Sequence, residues 1–224
     1  MVDPTPVIAI DGPSGVGKGT IGQLLAESLG WRYLDSGAMY RIAALAALRA
    51  GLDFSDEAAL GALCRRLDVR FEPMPGKAPK VLLDGRDVSA DIRTEKVGNA
   101  ASKVAALMAV RAALLDRQRG FRTPPGLVAD GRDMGTTVFP DARLKIFLTA
   151  SSEERARRRY KQLKEKGIAT SIARLAQEIA ERDERDASRS TSPLKPATDA
   201  RILDTGGLSV EAVLEQVVFW ASAG

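Results

Sequence analysis

The sequence predicts an α/β fold, a five-stranded parallel sheet flanked by helices, and three observations predict it. An apolar, β-branched run at Val7–Ile10 leads into a glycine-rich loop and then into a helical pattern. Four more short apolar segments follow, most of them separated by helical patterns, as in a sheet with helical crossovers. The residues just after these segments, DGPSG, DSGAMYR, DGRDMGT, SSEER and DTGG, are rich in glycine and charge. Parallel sheets bind ligands beyond the carboxyl ends of their strands, so the active site is expected along that edge.

The first strand, ending at Asp11, reads as buried on both faces because it has no polar alternation. In the helix after the loop, Ile21, Leu24, Leu25 and Leu29 recur at helical spacing and Gly30 is a suitable stop. The remaining strands are WRYLD (31–35), GLVAD (126–130), LKIFLT (144–149) and RILD (201–204). A long excursion runs from about Tyr40 to Arg122. It has helix-like stretches at 38–50, 56–67 and 94–119. Between them VRFE (69–72) and KVLLD (80–84) read as a hairpin joined by the Pro/Gly-rich MPGKAP. This α+β insertion is expected to act as a flap over the substrate.

Between strand and helix lies the stretch Gly12, Pro13, Ser14, Gly15, Val16, Gly17, Lys18, Gly19 and Thr20. Successive backbone N–H groups in such a loop can curl round an anion, and the helix N-terminus adds positive potential. Glycine lets phosphate oxygens approach, and Lys18 can reach the outer phosphates. As a loop lysine it is expected to be exposed. The spacing is that of a P-loop with one departure: Gly19 follows Lys18 and the hydroxyl arrives one place later, at Thr20, which weakens the case for a direct Thr–Mg²⁺ bond.

Composition narrows the chemistry. The chain has 224 residues, enough for one good-sized domain or a core with small insertions. It has no histidine, which excludes Ser-His-Asp and Cys-His catalysis and histidine-bound zinc. Carboxylates, lysine, arginine, hydroxyls and Mg²⁺ remain, and phosphoryl transfer needs little more than these for positioning and charge neutralisation. The single cysteine, Cys64, cannot form an internal disulfide and reads as a small buried apolar group. With no secretory signal in MVDPTPV and no apolar run near ~18 residues, the expected place is the cytoplasm, away from membranes. A net charge of +4 suits phosphate-bearing partners, either small molecules or nucleic acid. The arginine-rich runs hold few aromatics for base stacking, which weighs against single-stranded nucleic acid.

Two charged segments stand out. In SSEERARRRYKQLKEKG (151–167), Arg155, Arg158 and Arg159 share a helix face. They are either a solvated face paired with Glu153, Glu154 and Glu165, or a lid whose arginines meet phosphates on closure. In ERDERDASR (181–189), Arg182, Asp186 and Arg189 also share a face, with solvated ion pairs as the alternative. Asp35 and Asp130, both at strand ends near the P-loop, are candidates to hold Mg²⁺ through water, and each could equally cap a turn.

Taken together, DGPSGVGKGT, DSGAMYR, NAAS (99–102), VR (110–111), DGRDMGT and ERDERDASR resemble the bacterial cytidylate kinases from about Val7 to the C-terminus. The resemblance implies the P-loop nucleoside monophosphate kinase fold and transfer of the γ-phosphate of ATP to CMP or dCMP with Mg²⁺. The Gly-Lys-Gly-Thr ending is usual among these kinases. It implies a core at 1–39, 123–153 and 188–224, and a monophosphate-binding domain at 40–122 with its hairpin insertion near 68–92. A lid with its following helix would occupy 154–187. The residues Gly12 to Thr20 would hold ATP, and Lys18 would neutralise charge on the transferred group. Tyr40, Arg41 and Arg132 would grip the acceptor phosphate and its surroundings, with Ser36 as a further acceptor contact. Ser102, Arg111 and Asp133 would contact cytosine. Arg182, Asp186 and Arg189 would lie near the sugar and the reacting phosphates, and Arg155 and Arg158 would be the lid's catalytic arginines. Any metal would sit on Thr20, Asp35 and Asp130, mostly through water. The implied partners are ATP and CMP or dCMP, with no nucleic acid or membrane, and the implied state is a monomer. The competing readings are another P-loop small-molecule kinase, for UMP, dTMP or a sugar acid, and an ATP-dependent nucleic acid-binding protein.

Overall fold

The computed structural model describes residues 5–74, 77–165, 167–189 and 191–223. In chain order the elements are β1 (Val7–Asp11), α1 (Lys18–Leu29), β2 (Arg32–Asp35), α2 (Ser36–Arg49), α3 (Glu57–Arg66), β3 (Val69–Met74), β4 (Lys77–Leu83) and β5 (Arg86–Asp87). They continue with α4 (Glu95–Val104), α5 (Met108–Arg119), β6 (Leu127–Gly131), β7 (Leu144–Thr149), α6 (Ser152–Glu165), α7 (Ile172–Ala187), β8 (Arg201–Asp204) and α8 (Val210–Ser222). A 3-10 turn spans Asp91–Arg93 and a π turn spans Met134–Val138. The chain divides into two compact units: Met1–Asp35 with Gln118–Gly224, and Ser36–Arg117.

The first unit is built on a five-stranded sheet in the order β2-β6-β1-β7-β8, and each pair is parallel. The strands fall where the apolar runs place them. β1 and β6 are buried along their whole length, which is why they lack the alternation of a half-solvated strand. β2 and β8 are the edges, and Ile202 on β8 is exposed. Ile8, Ile10, Leu25, Val128, Ile146, Leu148, Val213 and Val217 form the core between the sheet and helices α1 and α8. Each such side chain contributes ~1.5–3 kcal/mol on full burial. Register carries the polar strand ends to one edge: Asp35 pairs with Asp130, Asp11 with Gly131, and Thr149 with Asp204.

In the second unit α2 is buried over most of its length, which its alanine-rich sequence allows by letting neighbours approach closely. Arg41 ties it to the 3-10 turn by donating to the carbonyl of Ile92 at 2.9 Å. Strands β3, β4 and β5 form a separate antiparallel sheet, with Val69 opposite Leu83 and Phe71 opposite Val81. The joining stretch MPGKAP is shorter than expected: Met74 ends β3 and Lys77, Ala78 and Pro79 begin β4, while Pro75 and Gly76 lie outside the described residues. Cys64 is buried on α3, and burial pushes its thiol up to about 11.

One expectation needs correction here. The helix-like stretch 94–119 is two helices, α4 and α5, which meet at 101°. Ala105, Ala106 and Leu107 between them have good helix propensity, so nothing local marks a break. The second helix begins where a distant side chain provides a cap: Glu57 Oε1 accepts from the Ala109 N–H at 2.7 Å.

Candidate active site

The glycine loop connects β1 to α1, and its shape follows from two glycines. Gly12 has φ 147°, and a Cβ there would stand 2.1 Å from the Leu148 carbonyl oxygen. Only glycine lets the chain leave β1 this close to β7. Gly17 caps α1 in the left-handed region at φ 98°. The carbonyls of the loop are tethered one by one. Lys18 Nζ donates to Pro13 O at 2.8 Å, Arg155 to Ser14 O at 3.1 Å, and the Thr205 hydroxyl to Val16 O at 3.2 Å. With carbonyls held in this way, the N–H side of the loop and the start of α1 form the anion cradle.

Lys18 is buried, at 7% exposure, rather than exposed as its place in a loop suggests. It is the first residue of α1 and folds back on the loop. Burial, helped by the Arg132 charge, lowers its pKa to about 7, against the pull of Asp130 and Asp11. Burial and the Asp35 charge raise Asp130. The Tyr33 hydroxyl donates to the Asp130 carboxylate, and burial followed by Asp130 itself pushes that phenol far above its ordinary range. Asp35 is exposed beside Asp130, and Thr20 is exposed on the first turn of α1.

A pH dependence follows. Free Lys18 is partly neutral above about pH 7, and a bound polyphosphate favours its charged form. ATP binding should therefore take up protons above about pH 7, and affinity should fall as pH rises. Calorimetry in two buffers of different ionisation enthalpy reads the uptake, and Lys18→Met should abolish it.

The second half of the site in this unit is a charge cluster at the end of α7. Asp186, 1% exposed, accepts from Arg132 Nε at 3.0 Å and from Arg189. Burial alone would raise its pKa, but Arg132, Arg189 and Arg182 together hold it below the usual carboxylate range. Arg132 also donates to the carbonyl of Gly131 at 3.1 Å. Asp133, 2% exposed, precedes the π turn, and its carbonyl accepts from the Thr137 and Val138 amides. The structure thus brings Arg132, Asp186 and Arg189 into contact, and Arg182 and Lys18 feel one another's charge.

Of the α6 arginines, Arg155 is enclosed and Arg158 is half-buried, while Arg157 is exposed. Arg155 is 4% exposed, forks onto the Asp183 carboxylate on α7, and also donates to the carbonyl of Ala150. Arg158 donates to the Thr205 hydroxyl at 3.1 Å and pairs with Glu154 at 3.1 Å. Arg159 makes a contact with Gln162. Sequence reasoning missed Asp11, Tyr33, Asp183 and Thr205 as part of the site, since each acts through a partner far away in the chain.

The second unit holds the remaining candidates. Ser36, the first residue of α2, is 2% exposed, and Tyr40 one turn later is 7% exposed. Arg111 lies over the Tyr40 ring at 5.8 Å and donates to Ala105 O at 3.2 Å. Ser102 on α4 is 3% exposed. Arg41 lies on α2 one residue beyond Tyr40.

The fit to Mg²⁺ rests on oxygen donors. Among the described residues no group of three or more Asp, Glu, His or Cys converges on a point. A pair of carboxylates and a nearby hydroxyl suits a hard cation that keeps most of its water and is shared with nucleotide phosphates.

The family profile described as cytidylate kinase matches residues 8–222. The cytidylate kinase of Shewanella denitrificans is 58% identical over 219 residues, covering 97% of this chain and 96% of that protein. That of Yersinia enterocolitica is 59% identical over 221 residues, covering 99% and 96%. That of Pseudomonas entomophila is 60% identical over 218 residues, covering 97% and 96%. With a profile match over nearly its whole length and relatives this similar, the chain belongs to the cytidylate kinase family.

Proposed function

We propose that this kinase transfers the γ-phosphate of ATP to the phosphate of CMP or dCMP, giving ADP and CDP or dCDP. The observation that carries this is the anion cradle around Lys18 with the Arg132–Asp186–Arg189 cluster in the same unit. Two phosphate-bearing substrates require two cationic grips, and no general base. The second pKa of a phosphate ester is ~6, so at neutral pH the acceptor is largely a dianion and is itself the nucleophile. The protein's task is to align two anions and screen their repulsion.

In this reading Gly12 to Thr20 hold the ATP phosphates and Lys18 follows the charge on the transferred group. Arg132, Tyr40 and Arg41 meet the acceptor phosphate and its surroundings, and Ser36 is a further acceptor contact. Asp133, Ser102 and Arg111 contact cytosine. Arg182, Asp186 and Arg189 serve the sugar and the reacting phosphates. Arg155 and Arg158 act on the donor side, through the P-loop backbone that Arg155 already touches. Asp35 and Asp130, through water, and Thr20 would hold Mg²⁺, which supplies neutralisation of phosphate charge. The partners are small molecules, with no nucleic acid or membrane, and the enzyme works as a monomer in the cytoplasm. Among the described residues no single helix is long and apolar enough to cross a membrane.

The test is ADP formation by purified protein with ATP–Mg²⁺ and each of CMP, dCMP, UMP, dTMP and gluconate in turn. CMP and dCMP should be the good acceptors, and strong turnover with gluconate or dTMP alone would overturn the proposal.

A further inference from the structure

Asp11 ends β1 immediately before the glycine loop and is 5% exposed. Both of its carboxylate oxygens are committed to the loop after β6. Oδ1 accepts from the Met134 N–H at 2.8 Å and Oδ2 from the Gly135 N–H at 2.8 Å. These amides open the π turn, whose far end closes on the carbonyl of Asp133. The Asp133–Met134 and Met134–Gly135 peptide planes, the first of which carries Asp133, are thus fixed from the residue just before the P-loop. The register agrees, since Asp11 pairs with Gly131 across β1 and β6.

A carboxylate is a poor choice here for stability alone. Burial pushes its pKa up to about 6 against the two amide bonds, and the neighbouring Asp133 charge adds to the rise. A buried anion beside another anion is unfavourable unless geometry requires it. The geometry does: two adjacent N–H groups need two acceptors on one short side chain. Only aspartate supplies them at this length, because asparagine offers one acceptor and turns an NH₂ toward the other amide.

We propose that Asp11 is a positioning residue that clamps the Met134 and Gly135 amides and thereby sets Asp133 for choice of the acceptor base. The proposal rests on the reading of Asp133 as a cytosine contact. It adds that the base-reading loop is anchored to the start of the ATP-binding loop, so that donor and acceptor ends are placed by one side chain.

The experiment measures kcat/KM for CMP and UMP in wild type, Asp11→Asn, Asp133→Ala and the double variant, with folding checked by near-UV circular dichroism. Asp11→Asn should lower the CMP:UMP ratio by ~10-fold or more, within the range of one good base contact. The double variant should lose little beyond Asp133→Ala, because the two act on one contact. A folded Asp11→Asn with a lowered melting temperature and an unchanged ratio overturns the proposal while leaving the reading of Asp133 intact, provided Asp133→Ala changes the ratio. An unchanged ratio in Asp133→Ala overturns both. Should Asp11→Asn not fold, Asp11→Ser takes its place, and failure of both to fold makes Asp11 a folding residue and overturns the proposal.

Discussion

Lys18→Ala should lower kcat by roughly 10²–10³ or more, the loss typical of removing one preorganised donor from developing charge. The side chain is the first of α1, is buried and donates to Pro13 O. Its effect should fall on kcat more than on CMP affinity, because the interaction strengthens as charge develops. Stability should change little. The lost bond to Pro13 O is worth about 1 kcal/mol net, and removal also relieves the burial that lowers the lysine's pKa. Turnover within a few-fold of wild type in a folded Lys18→Ala protein would remove the loop from the mechanism.

Asp186→Ala should be the most destabilising single change at the site. Asp186 is 1% exposed and bridges Arg132, on the loop after β6, and Arg189, just beyond α7. Removing it leaves guanidinium charge buried without its carboxylate, which costs about 3–5 kcal/mol in comparable sites. The pH dependence has a definite sign. The folded pKa is held below the ordinary 3.8, so the stabilisation is present above that value and lost as pH falls through the folded one. The gap between wild type and variant in denaturant unfolding should therefore be full at neutral pH and shrink at strongly acid pH. Equal stability at neutral pH would show that the cluster is a solvated set of surface pairs.

These two residues differ in how readily the sequence discloses them. The P-loop was legible because its chemistry is local: strand, glycines, lysine and helix follow one another within Val7–Leu29. The parallel strands were legible for the same reason, since burial on both faces leaves continuous apolar runs. The spacing put Arg182 and Asp186 on one helix face, but α7 ends at Ala187 and leaves Arg189 just beyond it, and the spacing did not give the pairing of Asp186 with Arg132, 54 residues away in the chain. The break between α4 and α5 was invisible because its cap, Glu57, is 52 residues from Ala109. Arg155 reads as part of a charged surface until Asp183 and the Ser14 carbonyl are seen to enclose it. Lys18 reads as exposed because loops usually are, whereas its place at the first turn of α1 buries it.

The central claim is that the chain phosphorylates a cytidine monophosphate by reading its base with polar groups. Cytosine offers an N4 donor beside an N3 acceptor, and uracil reverses both. In the proposed reading, Asp133 as an acceptor would be matched by cytosine N4 and left unpaired by uracil O4, and Arg111 as a donor would be matched by cytosine N3 and left unpaired by uracil N3–H. The most direct measurement is kcat/KM of the wild-type protein for CMP and for UMP with ATP–Mg²⁺. The account predicts a preference for CMP of ~10⁴ or more, the scale of polar discrimination. Equal use of the two acceptors, or a preference for UMP, would contradict it.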